Sequence, residues 1–293
     1  MKPRRTLLIA LFLALTVSTP AFARYPKTIV AAGDFNGGSQ AGATARVMAA
    51  QHPAVILGLG DYQYDYGSHG SFVSGFERQM ILHRVFARFR PVAGPSHDVD
   101  SATDVANYKA NWNRNPFKPY SFNVGPRWHM IALPSPIYRY GMTRAQRTTL
   151  RWLRRDLRRN RARCVIAYWH EPFFTNSSSG HSATEGDYTR PWVQMLYRFH
   201  ADILLSGHQH GYARFAPQTP GKRPSYRKGL RQYIVGTGGV GFYSWSTGEP
   251  NLVTQQSNTY GALKLTLNRR GWTTKFLRSG GGRYTDRSAG KCH

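Results

Sequence analysis

Acidic residues and cysteines are scarce in this chain of 293 residues: 14 Asp+Glu stand against 40 Lys+Arg, and there are two cysteines. Two cysteines in so long a chain exclude a small fold stapled by disulfides. They cannot complete a zinc site by themselves either. No apolar run reaches the length of about 20 residues that a spanning helix needs. There is no internal repeat, and no linker rich enough in Pro, Gly or Ser to split the chain. What is present excludes a disordered basic tail: hydrophobic residues make up 41% and aromatics 13%, enough to bury a core. The shortage of acid leaves a formal net charge of +26, which invites a polyanionic partner.

The first residues read as a targeting segment. Lys2, Arg4 and Arg5 precede the apolar run Leu7–Val17, and Ala21-Phe22-Ala23 follows as a small-x-small site. This pattern predicts a secretory signal peptide over residues 1–23, cut after Ala23, with residues 24–293 as one domain. The expected location is therefore secreted or periplasmic. Export would bring Cys164 and Cys292 into an oxidising compartment, and they are expected to bond and tie the C-terminal tail to the middle of the chain.

Strands and helices alternate along the rest. Thr28–Ala32, Ala54–Leu59, Arg127–Leu133, Val165–Trp169, Ile203–Leu205 and Gln232–Val235 are short apolar runs that read as buried strands. Ala262–Leu267 and Trp272–Leu277 flank a turn and read as a hairpin. Helices are predicted over Ala41–Gln51, Phe72–Phe89, Thr143–Asn160 and Tyr188–His200. In the third of these, Thr143 and Gln146 suggest a capping box, and Leu150, Leu153 and Leu157 share one face. Gly180–Asp187 and Pro217–Lys228 read as loops. The pattern predicts one mixed α/β domain.

The chemistry-bearing residues stand at the strand ends. The first strand runs into Gly33-Asp34 and the second into Gly60-Asp61-Tyr62-Gln63-Tyr64. Later strands run into His170 and into Gly207-His208-Gln209-His210. Ligands bind where loops leave the carboxyl ends of strands in α/β sheets. Two carboxylates and three imidazoles there are donors suited to borderline divalent metals and iron. Facing carboxylates repel unless cations lie between them, and a shared Asp would hold two metals about 3.5–4 Å apart.

The order Gly33-Asp34, Gly60-Asp61-x-x-Tyr64, His97-Asp98, His170 and Gly207-His208-x-His210 resembles the calcineurin-like metallophosphoesterases. The Tyr three residues after the second Asp resembles their purple acid phosphatase branch, and several other stretches look like its secreted bacterial members. The resemblance implies a four-layer α/β sandwich, two mixed β-sheets flanked by α-helices. It implies two metal ions, Fe(III) plus a divalent Zn, Fe or Mn. Asp34, Tyr64 and His210 would bind the first, Asp61 would bridge, and His170 and His208 would bind the second. His97 would protonate the leaving oxygen or stabilise the transition state. Asp98 would orient that ring, or else be an ordinary loop carboxylate.

The third motif departs from the family. Its Gly-Asn-His-Asp/Glu is replaced by Gly94-Pro95-Ser96-His97-Asp98, so Ser96 stands where the metal-binding Asn belongs. A hydroxyl is a shorter and poorer ligand, and the second metal is expected to bind more weakly. Glu171 follows His170 where many secreted relatives carry a second His. His181, on the loop after His170, is a candidate substrate contact or a plain surface residue.

Arg151, Arg154, Arg155, Arg158, Arg159, Arg161 and Arg163 cluster on and after one helix. They read as a solvated face, or as attraction toward anionic substrates or an anionic cell envelope. No zinc-finger pattern, aromatic RNA-binding motif or recognition helix points to specific nucleic-acid binding. The Gly-rich stretch Gly236–Gly241 lacks the lysine and hydroxyl of a nucleotide-binding loop. The sequence therefore predicts a metallophosphoesterase acting on phosphate esters, a phosphomonoesterase, with water activated by the metals as nucleophile. Two rivals stay open: an inactive or weakly active protein on the same fold, and a basic secreted polyanion-binding protein. Oligomeric state is not legible.

Overall fold

The computed structural model describes residues 25–64, 69–176, 181, 182 and 184–293. The expected signal peptide and its cleavage site lie outside the described residues. Among those described, no helix is long and apolar enough to cross a membrane.

In chain order the strands are β1 (Lys27–Ala32), β2 (Val55–Gly58), β3 (Phe89–Pro91), β4 (Tyr120–Asn123), β5 (Trp128–Ala132), β6 (Cys164–Tyr168), β7 (Ile203–Ser206), β8 (Tyr212–Phe215), β9 (Arg231–Val235), β10 (Leu252–Gln256), β11 (Thr259–Leu267), β12 (Gly271–Gly281) and β13 (Arg287–Lys291). They form a 6-stranded sheet in the order β13-β12-β11-β1-β2-β3 and a 7-stranded sheet in the order β10-β8-β9-β7-β6-β5-β4. Both are mixed. In the first, β1, β2 and β3 run parallel, while β11 pairs antiparallel with β1. In the second, β5, β6, β7 and β9 run parallel and β4 and β8 are antiparallel.

Alternation along the buried strands builds the layers. In β5 and β6, Met130, Ile166 and Tyr168 join the cluster of β1, β2 and β11, whereas Ile131, Val165 and Ala167 join Leu153, Leu157, Trp192 and Leu196. Successive strand residues point to opposite faces. One face of the second sheet thus packs on the first sheet, and the other packs on helices. The expected two mixed sheets with flanking helices are what the chain forms.

The helices are α1 (Ser39–Ala49), α2 (His69–Ser71), α3 (Arg78–Leu82), α4 (Pro95–Asp98), α5 (Ala102–Trp112), α6 (Pro136–Arg139), α7 (Thr143–Arg159) and α8 (Arg190–Arg198). The helix expected over Phe72–Phe89 is shorter: a π-helical segment Phe72–Glu77 leads into α3, and Phe89 opens β3 instead. Phe72, Phe76 and Phe89 all pack in one aromatic cluster, so their burial does not require a continuous helix. The Thr143–Gln146 capping box does not form. Met142 takes the cap position, the Thr143 hydroxyl donates to the Gly141 carbonyl, and Gln146 donates to Ile137. A capping box does form at α5, between Ser101 and Asp104. The last predicted helix begins at Arg190, after a 3-10 turn over Asp187–Thr189.

Cys164 and Cys292 are disulfide-bonded, with Cα atoms 5.3 Å apart. The bond ties the start of β6 to the tail after β13, and so joins the two sheets.

Candidate metal centre

The two sheets deliver their strand ends to one place. β1 and β2 are parallel neighbours with Ala32 opposite Gly58, so the turns that follow lie side by side. They are laced together: Asp34 N–H donates to Gly60 O at 3.0 Å and Phe35 N–H to Asp61 O at 2.9 Å. Asp34, Asp61 and His208 all adopt left-handed backbone, with φ of 62°, 52° and 69°. Asp and His tolerate that region better than most residues. From the second sheet, the turns after β6 and β7 are joined by Gly207 N–H donating to His170 O at 2.9 Å. Two close approaches require glycine. A Cβ at Gly94 would come within 1.7 Å of Asp61 Oδ1, and one at Gly207 within 2.5 Å of Asp34 Oδ2.

Asp34 and Asp61 are both buried, and with His170 they bring donor atoms within 4.8 Å of one another. His208 N–H donates to Asp34 Oδ2 at 2.9 Å. The Tyr64 hydroxyl lies 3.1 Å from Asp34 Oδ1 and 2.9 Å from His210 Nε2. His170 Nε2 lies 3.3 Å from Asp61 Oδ2 and 3.2 Å from His208 Nδ1. Asp61 Oδ1 is buried, with no hydrogen-bond partner among the described residues.

The charges are in conflict. Burial pushes the Asp34 carboxyl well above its usual range, and the charge of Asp61 adds to this while His170 opposes it. Burial acts the same way at Asp61, but the charge and hydrogen bond of His170 override it and hold that carboxyl low. Burial disfavours charge on His170 too, yet Asp61 and Asp34 outweigh it and push the imidazole up. Burial pushes His210 down to about 3. Loss of solvent and the two carboxylates push the Tyr64 phenol well up, so a phenolate there requires a cation beside it.

The third motif divides. The His97 ring stands 4.2 Å from the Tyr64 ring, centroid to centroid, and burial pushes its pKa below the usual value. Asp98 does not touch that ring. Its carboxylate accepts the N–H groups of Asp61 at 2.8 Å, Tyr62 at 3.1 Å and Gly94 at 2.8 Å, and His97 Nδ1 has no hydrogen-bond partner. Asp98 therefore shapes the two turns that carry Asp61 and Gly94 and leaves the His97 ring unoriented. Ser96 is exposed. Pro95 opens α4 and the next residue of that turn faces solvent, so Ser96 is not brought together with the other expected ligands.

Two residues near the centre have no counterpart in the sequence reading. Glu185 Oε2 lies 2.8 Å from His181 Nδ1 and 3.2 Å from His208 Nε2. Burial pushes the Glu185 carboxyl up, but these two histidines override it and hold it low. Tyr243 stacks on His210, with centroids 3.9 Å apart and planes 10° from parallel, and its ring lies 4.9 Å from that of His181. His181 thus belongs to the centre and not to an isolated surface loop. Glu171 is buried, with neither carboxylate oxygen hydrogen-bonded. Only a spatial signal identifies Glu185 and Tyr243, since neither follows a strand end or shares spacing with the ligands.

The chain resembles known proteins over most of its length. The family model for calcineurin-like phosphoesterases matches residues 26–212. Human (Homo sapiens) acid phosphatase type 7 is 26% identical over 182 residues, which cover 55% of this chain and 41% of that protein. The chain thus spans about two fifths of the length of the curated relatives it matches. A purple acid phosphatase from yellow lupin (Lupinus luteus) seeds superimposes with a TM-score of 0.70 at 15% identity, covering 91% of this chain and 55% of that one. The anchor protein of the Plasmodium inner membrane complex gives a TM-score of 0.68 at 13% identity, covering 92% and 90%. These two structures are similar in fold.

Proposed function

The chain belongs to the calcineurin-like phosphoesterases, and on that premise we propose that it hydrolyses phosphate esters, phosphomonoesters foremost, at a centre of two metal ions. The observation that carries this is the convergence of Asp34, Asp61 and His170 with a buried, unpartnered Asp61 Oδ1. A buried carboxylate oxygen without a partner is costly, and a cation would satisfy this donor set. Asp34, Tyr64 and His210 would hold one ion, His170 and His208 the other, and Asp61 would serve both. Fe(III) suits a phenolate-bearing site and a divalent Zn, Fe or Mn the other.

Such a pair supplies Lewis-acid neutralisation of phosphoryl charge and a nucleophilic water near neutral pH. The chain's own side chains do the rest. Asp98 holds the Asp61 turn by its main chain. His97, exposed on one side, would deliver a proton to the leaving oxygen. His181 would add a further contact to the phosphate. The surplus of Arg over acid would draw anionic esters toward the centre. With the N-terminal pattern and the disulfide, the reading extends to an exported protein.

The test is metal analysis of the purified protein together with hydrolysis of an aryl phosphate, with and without chelator. Two ions and turnover that chelation abolishes are expected. His97→Ala should keep both ions and lose about 10²–10³-fold in kcat/KM. Two bound ions without turnover on any ester would leave the fold as a non-catalytic binding protein.

A further inference from the structure

His170 and His210 each have Nε2 facing the Asp61 or Asp34 carboxylate and Nδ1 facing away. The outward Nδ1 of His170 lies 2.7 Å from the Leu59 carbonyl oxygen, and that of His210 lies 2.7 Å from the Gly241 carbonyl oxygen. A carbonyl only accepts, so the outward nitrogen carries a proton and the inward Nε2 is the one that would turn to an ion. His208 is turned the other way. Its Nδ1 lies 3.2 Å from His170 Nε2, and its Nε2 lies 3.2 Å from Glu185 Oε2, within ion-pair distance but without hydrogen-bond geometry. Among the described residues, no main-chain carbonyl holds it. The outward partner is instead a carboxylate on the loop that also carries His181.

We propose that Glu185 is a positioning residue: its charge beside His208 favours the proton on Nε2 and leaves Nδ1 to turn toward an ion held with His170 and Asp61, while the same oxygen accepts from the His181 ring. The proposal rests on the two-metal reading above. A carboxylate accepts only, so His181 donates from Nδ1, and the negative charge beside His208 Nε2 favours the proton on that nitrogen over Nδ1. Carboxylates placed behind metal-binding histidines raise ligand basicity and hold ring orientation, and losing one typically costs 10–100-fold in metal affinity. The His181 and His208 rings also pack edge to face, with centroids 4.4 Å apart.

The experiment is calorimetric titration of Zn(II) into chelator-stripped full-length protein. Glu185→Ala should weaken one of two Zn(II) ions by 10–100-fold and leave the other within about 3-fold. Glu185→Gln keeps an acceptor oxygen and should recover part of the loss, which also guards against a folding defect in the alanine variant. His181→Ala should leave both ions within about 3-fold, because the effect runs through His208. Wild-type binding of two ions matched by Glu185→Ala overturns the proposal alone. A wild type that takes up no ion overturns the two-metal reading and this proposal together.

Discussion

The two halves of the centre are built by different means. On the side of Asp34, Tyr64 and His210, the main chain and an aromatic stack hold the histidine: His210 is fixed by Gly241 O and by Tyr243 at 3.9 Å. Around His170 and His208, only His170 has such a hold, through Leu59 O. His208 depends on a loop carboxylate, and the third motif offers an exposed Ser96 where the family pattern has an amide. A side-chain anchor on a loop loses more conformational freedom on ordering than a main-chain anchor at a strand end. The second half is therefore the one whose ion should come and go.

The largest effect is expected where the halves meet. Asp61 is the residue both would share under the proposed assignment, and Asp61→Asn keeps its shape while removing its charge. Bound metal should fall from two ions to one, and kcat/KM should fall by about 10³-fold or more, equivalent to several kcal/mol of transition-state stabilisation. Metal analysis and steady-state kinetics read this directly. Retention of two ions at full affinity would remove Asp61 from the shared position and with it the division into halves.

An intermediate effect tests the aromatic side. An aromatic pair contributes about 0.5–1.5 kcal/mol beyond area burial. Tyr243→Ala should thus weaken one ion by roughly 2–12-fold, whereas Tyr243→Phe keeps the stack and should stay within about 2-fold. Competition against a coloured chelator distinguishes them. Equal losses in both variants would mean that the Tyr243 hydroxyl, and not the stack, supports His210.

The uneven legibility of the two halves has the same origin. Asp34, Asp61, His170, His208 and His210 follow apolar strands, and that pattern is local in sequence. Glu185 and His208 are far apart in the chain and meet only because the strand order places the turn after β7 beneath the loop after β6. Tyr243 lies on a Gly-rich turn whose aromatic role depends on His210 beside it. In the fold, buried strands were readable, but β13 (Arg287–Lys291) carries no apolar run and exists by pairing with β12. The Thr143–Gln146 pair matches a capping pattern, yet α7 starts one residue earlier in register than that pattern requires, so both side chains reach back to carbonyls instead.

The smallest effect sharpens the comparison most. If the missing amide were the weak point of the second half, Ser96→Asn would tighten that ion. The geometry argues otherwise. Asp98 accepts three main-chain N–H groups and so sets the path of the Gly94–Asp98 turn. Pro95 fixes the first helical position of α4, and Ser96 then points to solvent. An Asn at position 96 inherits that direction and has no backbone freedom to swing inward. An exposed substitution of this kind changes stability by about 0.5 kcal/mol at most, so Zn(II) affinity should shift by no more than about 2-fold. A tenfold gain would place the weakness of the second half in the third motif; no gain leaves it with the loop carboxylate that holds His208.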